Sequence, residues 1–529
     1  MKPKILISDR INDKGIEILN KISDTDIITG LNEEDLIKKI PTYDALIVRS
    51  ETKVTKAIID AGSNLKVIGR AGVGVDNIDI QSATSKGIAV VNSPTGNTIA
   101  AAEHAFALML SLSRRIPEAN QTMKEGKWNR SSFMGAQIQD KTLGVIGLGK
   151  VGVEVVKRAN AFGMKILGYD PYISNELANS LSVNLVDLDE IYKNSDFITL
   201  HIPLLESTKG LIGLNELKKM KPTTQIINAA RGGLIDEDAL YEALANNIIS
   251  GAAVDVFVDE PTQNQKLVDL PNLVSTPHLG ASTSEAQVEV ALEVVQEVLD
   301  VLDGKFAKST VNLPFLPDEA QKVLTPYFKT AELLGEIITQ LSEGQFKSLK
   351  IIYNGDLSQY DTNTLKSSVL VGLLNASSDE KVNIISAPFI AQNRGLHIIE
   401  EKNPSSDLFS SVLSLELTTE KGQFSISGVN IENETHIVKV NDRSLDFTPY
   451  TPYLLFIENL DRPGTIGKVG TVAGEYDINI AFMTVGRNAP RDTAIMIVGI
   501  DDAPNTEVIE SMRKIKNIVS VKGVSLNIS

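Results

Sequence analysis

The chain contains no cysteine among its 529 residues. That excludes disulfides, cysteine-ligated zinc, iron–sulfur clusters and thiol catalysis. Long apolar runs are absent too, and none approaches the roughly 18 residues of a membrane span. The opening, MKPKILISDRINDKG, turns charged too early for a secretory signal, so the expected location is the cytoplasm. Positive charge is in deficit: the net charge is −16. Nucleic acid and anionic membrane are therefore disfavoured as partners, and an anionic substrate would need a local basic pocket. Histidine is scarce as well. There are five, none at metal-ligand spacing from another, so no metal is expected.

What is present is ordinary in amount and informative in order. The hydrophobic share is 42% and the charged share 22%, typical of a folded globular protein. The length suggests roughly three or four domains. Short aliphatic runs (KILIS, DALIVRS, NLKVIGR, IAVVN) alternate with helical patterns over the first hundred residues. A second series follows: TLGVIG, KILGYD, FITLHI, TTQIINA, SGAAVDV and NLVSTPH. Such runs, separated by helices, predict parallel sheets covered on both faces. The apolar helices IAAAEHAFALMLSLSRRI and EAQVEVALEVVQEVLDVL read as connectors between the two lobes. The loop-prone VNLPFLPDE, Val311 to Glu319, marks the end of this core. A mixed α/β region without a catalytic motif runs from there to about Pro449. After DFTPYTPY the pattern is βαββαβ, a ferredoxin-like unit.

Gly147-Leu148-Gly149-Lys150-Val151-Gly152 follows a strand pattern and opens a helix pattern. In a dinucleotide site the first glycine makes the turn, the second admits the pyrophosphate, and the third lets helix and strand pack closely. Asp170 ends the next strand pattern, roughly twenty residues on, where a carboxylate binds the adenosine ribose and repels a 2′-phosphate. NAD is therefore expected over NADP. Downstream, Arg231, Glu260 and His278 each lie in a short segment after an apolar run, at the crevice side of a sheet. Singly they are unremarkable, since a lone histidine is more often structural. Together they suit hydride transfer at a hydroxy acid. His278 would take the hydroxyl proton, Glu260 would orient the imidazole, and Arg231 would hold a carboxylate. His104 and His201 read as packing residues, and His397 and His436 lie outside this core.

These segments, the glycine loop and GRAGVGVDNID (Gly69 to Asp79) resemble the D-isomer-specific 2-hydroxyacid dehydrogenases. The resemblance covers essentially the whole chain. It implies an α/β fold of two doubly wound parallel-sheet lobes: a flavodoxin-like substrate lobe at 1–99 plus 282–310 and a Rossmann NAD lobe at 100–281. An α+β intervening domain at 311–449 and a ferredoxin-like ACT domain at 453–529 follow. It implies cofactor contacts at Gly147, Gly149, Lys150, Val151, Gly152, Asp170, Ala229 and Asp255. Val73 stands where several relatives carry threonine, which removes a hydroxyl contact. The long C-terminal extension resembles the branch acting on D-3-phosphoglycerate with feedback by L-serine. For such a substrate Arg49, Arg70 and Asn97 would line the crevice from the first lobe, and Arg130 would reach across a dimer interface. Asn459, Asp461 and Asn479 match the positions where an ACT module holds an amino acid between two copies, so a homodimer or homotetramer is expected. The triad alone leaves two alternatives open: a reductase of glyoxylate, hydroxypyruvate or lactate, and a nucleotide-sensing binding protein.

Overall fold

A computed structural model of the chain describes residues 2–314, 316–377, 382–406 and 408–527. Phe315, within the VNLPFLPDE stretch, lies outside the described residues. Strands Lys4–Ile7, Asp24–Ile27, Ala45–Val48, Val67–Arg70 and Ala89–Asn92 form an all-parallel sheet. Their order is second, first, third, fourth, fifth, the flavodoxin-like arrangement. The central run Ala45–Val48 is buried at every position, as a strand covered on both faces must be. One face packs on Leu36, Ile40, Ile58 and Ile59. The other receives Val290, Val294, Val295 and Val298 of the helix Ser284–Leu302. A helix some two hundred residues downstream thus completes the first core.

The second sheet has seven parallel strands. From one edge they run Leu273–Ser275, Gly251–Val254, Gln225–Asn228, Phe197–Leu200, Thr142–Ile146, Lys165–Tyr169 and Asn184–Leu185. The order reverses between Thr142–Ile146 and Phe197–Leu200, which opens a crevice at their carboxyl ends. The helix Thr98–Ser113 lies along this sheet and packs Ala102, Ala105, Phe106 and Met109 against Leu143 and Val145. The doubly wound expectation holds in both lobes.

A six-stranded mixed sheet follows, with the helices Asp318–Leu341 and Asn363–Asn375 packed on it. It is tied to the first lobe, because Asn383 Nδ2 donates to the Gly87 carbonyl at 2.7 Å and Ile385 enters that lobe's core. The last sheet is antiparallel, in the order Ile480–Arg487, Thr493–Ile500, Tyr453–Leu460, Ile518–Ser525. That is the ferredoxin-like topology. Its strand YLLFIENL is apolar at successive positions because both faces are buried. Leu455 and Ile457 pack among Val469, Ala473, Val508 and Met512 of the sheet's own helices. Leu454 and Phe456 join the core of the six-stranded sheet. Among the described residues no helix is long and apolar enough to cross a membrane.

The return helix packs tightly on the first sheet at Gly69, where an added Cβ would stand 2.5 Å from Val298 Cγ2. Overpacking of this kind costs about 1–3 kcal/mol. Gly69→Ala should therefore lower the thermal midpoint, and adding Val298→Ala should restore part of it. Strictly additive losses in the double variant, read by thermal unfolding, would contradict this packing.

Candidate active site

The glycine loop meets each of its three steric demands. Gly147 has φ +95, and a Cβ there would fall 2.4 Å from the His201 carbonyl. A Cβ on Gly152 would fall 2.1 Å from the Gly147 carbonyl. Gly149, at the N-cap of the helix Lys150–Ala161, has nothing within 4 Å. That open space faces the unpaired N–H groups of the helix start, which suit a pyrophosphate. Lys150 is exposed and Val151 half-buried at the same helix end. Asp170 braces the loop: its carboxylate accepts from Leu148 N at 2.8 Å and Tyr172 N at 2.9 Å. His201 bonds Thr199 Oγ1 at 2.9 Å, and burial pushes it down to about 4. It is neutral at physiological pH, beside the glycine loop.

Arg231, Glu260 and His278 follow three neighbouring strands, Gln225–Asn228, Gly251–Val254 and Leu273–Ser275. His278 Nδ1 lies 2.7 Å from Glu260 Oε2, while Glu260 Oε1 accepts from Phe257 N at 3.1 Å. A carboxylate only accepts, so Nδ1 carries the proton and Nε2 is left as a base. The His278 backbone is left-handed, with φ +55, which is uncommon for a residue with a Cβ. Asp255 accounts for it. This acid is fully buried and accepts from Thr276 Oγ1 at 2.5 Å, Leu279 N at 2.7 Å and Gly280 N at 2.9 Å. His278 N also donates to the Asp255 carbonyl at 2.8 Å. Half-buried Ala229 begins the turn that carries Arg231, and Asn228 braces that turn through bonds to Arg231 O and Ala230 N.

Three guanidinium groups share the other side of the crevice. Arg70 is pushed down to about 10, first by burial and then by the positive charges of Arg231 and Arg49; Asp76 and Asp9 oppose the shift. Its Nε is buried without a hydrogen-bond partner. Arg231 reaches across from the second lobe, with Nε 3.5 Å from Asp76 Oδ2. Gly72 and Gly74 leave the room: a Cβ would stand 1.5 Å from Arg70 Nη1 at the first and 2.5 Å from Arg231 Nη2 at the second. Asn92 Nδ2 donates to the Val73 carbonyl at 2.6 Å, which fixes this loop. Asn97, at the N-cap of Thr98–Ser113, keeps a buried, unpartnered Oδ1. Like charges gathered around the unpaired Arg70 Nε–H suit an anion, whereas the unpartnered Asn97 Oδ1 is an acceptor.

Other expected residues are not gathered in the same way. Arg130 is exposed in the turn Arg130–Phe133 and is not among the charges acting on Arg70. Asn459 and Asp461 lie at the end of Tyr453–Leu460, where Asp461 accepts from Arg487 Nη1 at 2.8 Å and Arg491 N at 2.9 Å. Asn479 sits at the opposite end of that sheet and donates to Asp501 at 2.6 Å. Several site residues escaped the sequence reading. Besides Asn228 and Asp76 they include Asp9, which accepts from Arg49 N at 2.6 Å, and Asn77, which donates to the Arg49 carbonyl at 2.6 Å. Their one sequence signal is position, each lying in or beside a strand-end loop. His104, read as packing, has a defined polar partner: its Nε2 is 3.1 Å from Asp255 Oδ1.

The chain is similar to known proteins along nearly its whole length. The D-isomer specific 2-hydroxyacid dehydrogenase NAD-binding domain family matches residues 106–280, and the D-3-phosphoglycerate dehydrogenase intervening domain family matches residues 323–441. The chain is 46% identical over 525 residues to a D-3-phosphoglycerate dehydrogenase from Synechocystis sp., covering 99% of this chain and 95% of that one. It is 44% identical over 524 residues to one from Methanocaldococcus jannaschii, covering 99% and 100%. The solved structure of a D-lactate dehydrogenase from Aquifex aeolicus, complexed with NAD and lactic acid, superposes with a TM-score of 0.54 at 29% identity. That match covers 59% of this chain and 99% of that one. The chain belongs to the D-3-phosphoglycerate dehydrogenase family of the D-isomer-specific 2-hydroxyacid dehydrogenases.

Proposed function

We propose that the chain oxidises D-3-phosphoglycerate to 3-phosphohydroxypyruvate with NAD, the first step of L-serine synthesis. The observation that carries this reading is the grouping of Arg49 and Arg231 around Arg70, with Arg231, Glu260 and His278 following three neighbouring strands of one sheet. One crevice then offers two anion-holding places and a base, which suits an acid bearing both a carboxylate and a phosphate. Relatives named for this activity at above 40% identity support it. An intact Arg, Glu and His set counts against a purely nucleotide-sensing protein.

Arg231 holds the substrate carboxylate through parallel hydrogen bonds and polarises the reacting oxygen. Arg49, Arg70 and Asn97 take the phosphate. His278 Nε2 accepts the C2 hydroxyl proton as the C2–H bond breaks and its electron pair leaves with the hydrogen, so the alcohol becomes a ketone. Glu260 stabilises the imidazolium that forms. NAD, when bound, supplies the hydride acceptor. Gly147, Gly149, Lys150, Val151 and Gly152 would hold its pyrophosphate and Asp170 its ribose, with Val73, Ala229 and Asp255 beside the reacting end.

The four sheets support the division into a substrate domain at 1–99 plus 282–310, an NAD domain at 100–281, an intervening domain at 311–449 and an ACT domain at 453–529. The chain works in the cytoplasm as a homodimer or homotetramer. Supporting the second copy is the arm after Thr98–Ser113: its helix Ile116–Lys124 buries nothing, and Trp128 and Met134 are 75% and 88% exposed. Arg130 lies on this arm and would act across that interface. L-serine is the proposed effector, held by Asn459 and Asp461 of one copy with Asn479 of another, since one chain keeps them at opposite ends of a sheet.

The direct test is absorbance at the reduced-nicotinamide band with D-3-phosphoglycerate and NAD, with and without L-serine. Turnover is expected, and no turnover with any hydroxy acid would favour the binding-protein alternative. His278→Gln should lower kcat by about 10²–10⁴-fold, and near-normal turnover would remove His278 from the role. Arg49→Ala should raise KM for D-3-phosphoglycerate by about ten- to a hundredfold while leaving an unphosphorylated 2-hydroxy acid unaffected. Equal effects on both would count against a phosphate pocket. Through Asp170, kcat/KM should strongly favour NAD, and comparable efficiency with NADP would contradict that assignment.

A further inference from the structure

The carboxylate under the catalytic loop has a fourth donor, and it comes from the connector between the lobes. His104 lies on the helix Thr98–Ser113, the first element after the last strand of the first lobe. Its Nε2 stands 3.1 Å from Asp255 Oδ1 and 3.2 Å from Thr276 Oγ1. Because a carboxylate accepts and the Thr276 hydroxyl already donates to it, Nε2 must carry a proton. The side chain of Asp255 is wholly buried and that of His104 is 20% exposed. Burial alone would raise the Asp255 carboxyl, but hydrogen bonds from His104, Thr276 and Leu279 outweigh it and hold the group below its usual range. The acid is therefore ionised, and its charge is tolerable only while those donors stay in place.

The donors are what shape the loop. Thr276 precedes His278, and Leu279 and Gly280 follow it; all three bind the one carboxylate. His278 between them is held left-handed, a conformation that persists only where its surroundings over-determine it. Removing one donor from a buried anion leaves a strong incentive to rearrange, and the segment free to move is the one carrying His278.

We propose that His104 is a positioning residue: its imidazole N–H, donated to Asp255, fixes the loop that presents His278 to Glu260 and the substrate, and so makes the base's placement depend on the interlobe helix. His104 does not itself touch the reacting atoms. The proposal rests on His278 being the catalytic base.

The test compares His104→Leu with His104→Gln, whose amide nitrogen can reach the position of Nε2. NADH binding stoichiometry, read by reduced-nicotinamide fluorescence, reports the folded fraction of each. With one NADH bound per chain, His104→Leu should lose about ten- to a hundredfold in kcat, the scale expected for a misplaced catalytic group. KM for NAD and for D-3-phosphoglycerate should stay within about twofold, and His104→Gln should recover most of the rate. Wild-type kcat in His104→Leu, or equal impairment of both variants, would overturn the proposal. If His104→Leu binds no NADH, Thr276→Val removes the other side-chain donor, and an unchanged kcat there would overturn it equally. Failure of the wild-type protein to turn over would instead sink the parent reading.

Discussion

Positive charge held together in an acidic chain dominates the design of the crevice. Arg49, Arg70 and Arg231 repel one another, and burial of Arg70 adds to the cost. The surroundings are arranged to hold these side chains where they are. Asp9 and Asn77 fix the backbone of Arg49, Asn228 braces the turn under Arg231, and Gly72 and Gly74 clear space for two guanidinium groups. Asp76, opposite Arg231, compensates only in part and is itself 75% exposed. An anionic ligand placed among them would relieve this repulsion. Fold and electrostatics serve one end here, because the parallel sheets bring the arginines together from both lobes.

Local sequence carried the parts whose constraints are local. The three glycines of GLGKVG each answer a contact within their own strand–turn–helix unit, and the structure meets all three demands. The runs ALIV and YLLFI announce strands buried on both faces. Arg231, Glu260 and His278 were legible because each follows an apolar run, which puts it at a strand's crevice end. Long-range pairs were not legible in this way. Asp76 meets Arg231 from more than 150 residues away, and His104 meets Asp255 at a similar separation; nothing near either residue marks the partner. His104 looked like packing because its helix is almost entirely apolar.

The C-terminal region differs from an isolated ferredoxin-like unit in one physical respect. The face of its sheet opposite the helices is shared with the core of the intervening domain. A displacement of the last sheet therefore disturbs the helix Asp318–Leu341, whose neighbours reach the first lobe through Asn383 and Ile385. Continuous packing of this kind is a physical route for coupling, although coupling itself is a free-energy difference between states.

Whether one crevice presents a base, a carboxylate clamp and a phosphate pocket to a single substrate is decided by a crystal structure of the chain with NAD and D-3-phosphoglycerate. The phosphate is expected on Arg49 and Arg70, the carboxylate on Arg231 and the C2 hydroxyl at His278 Nε2. A phosphate turned to solvent, or one seated on Arg231 in place of the carboxylate, would contradict it.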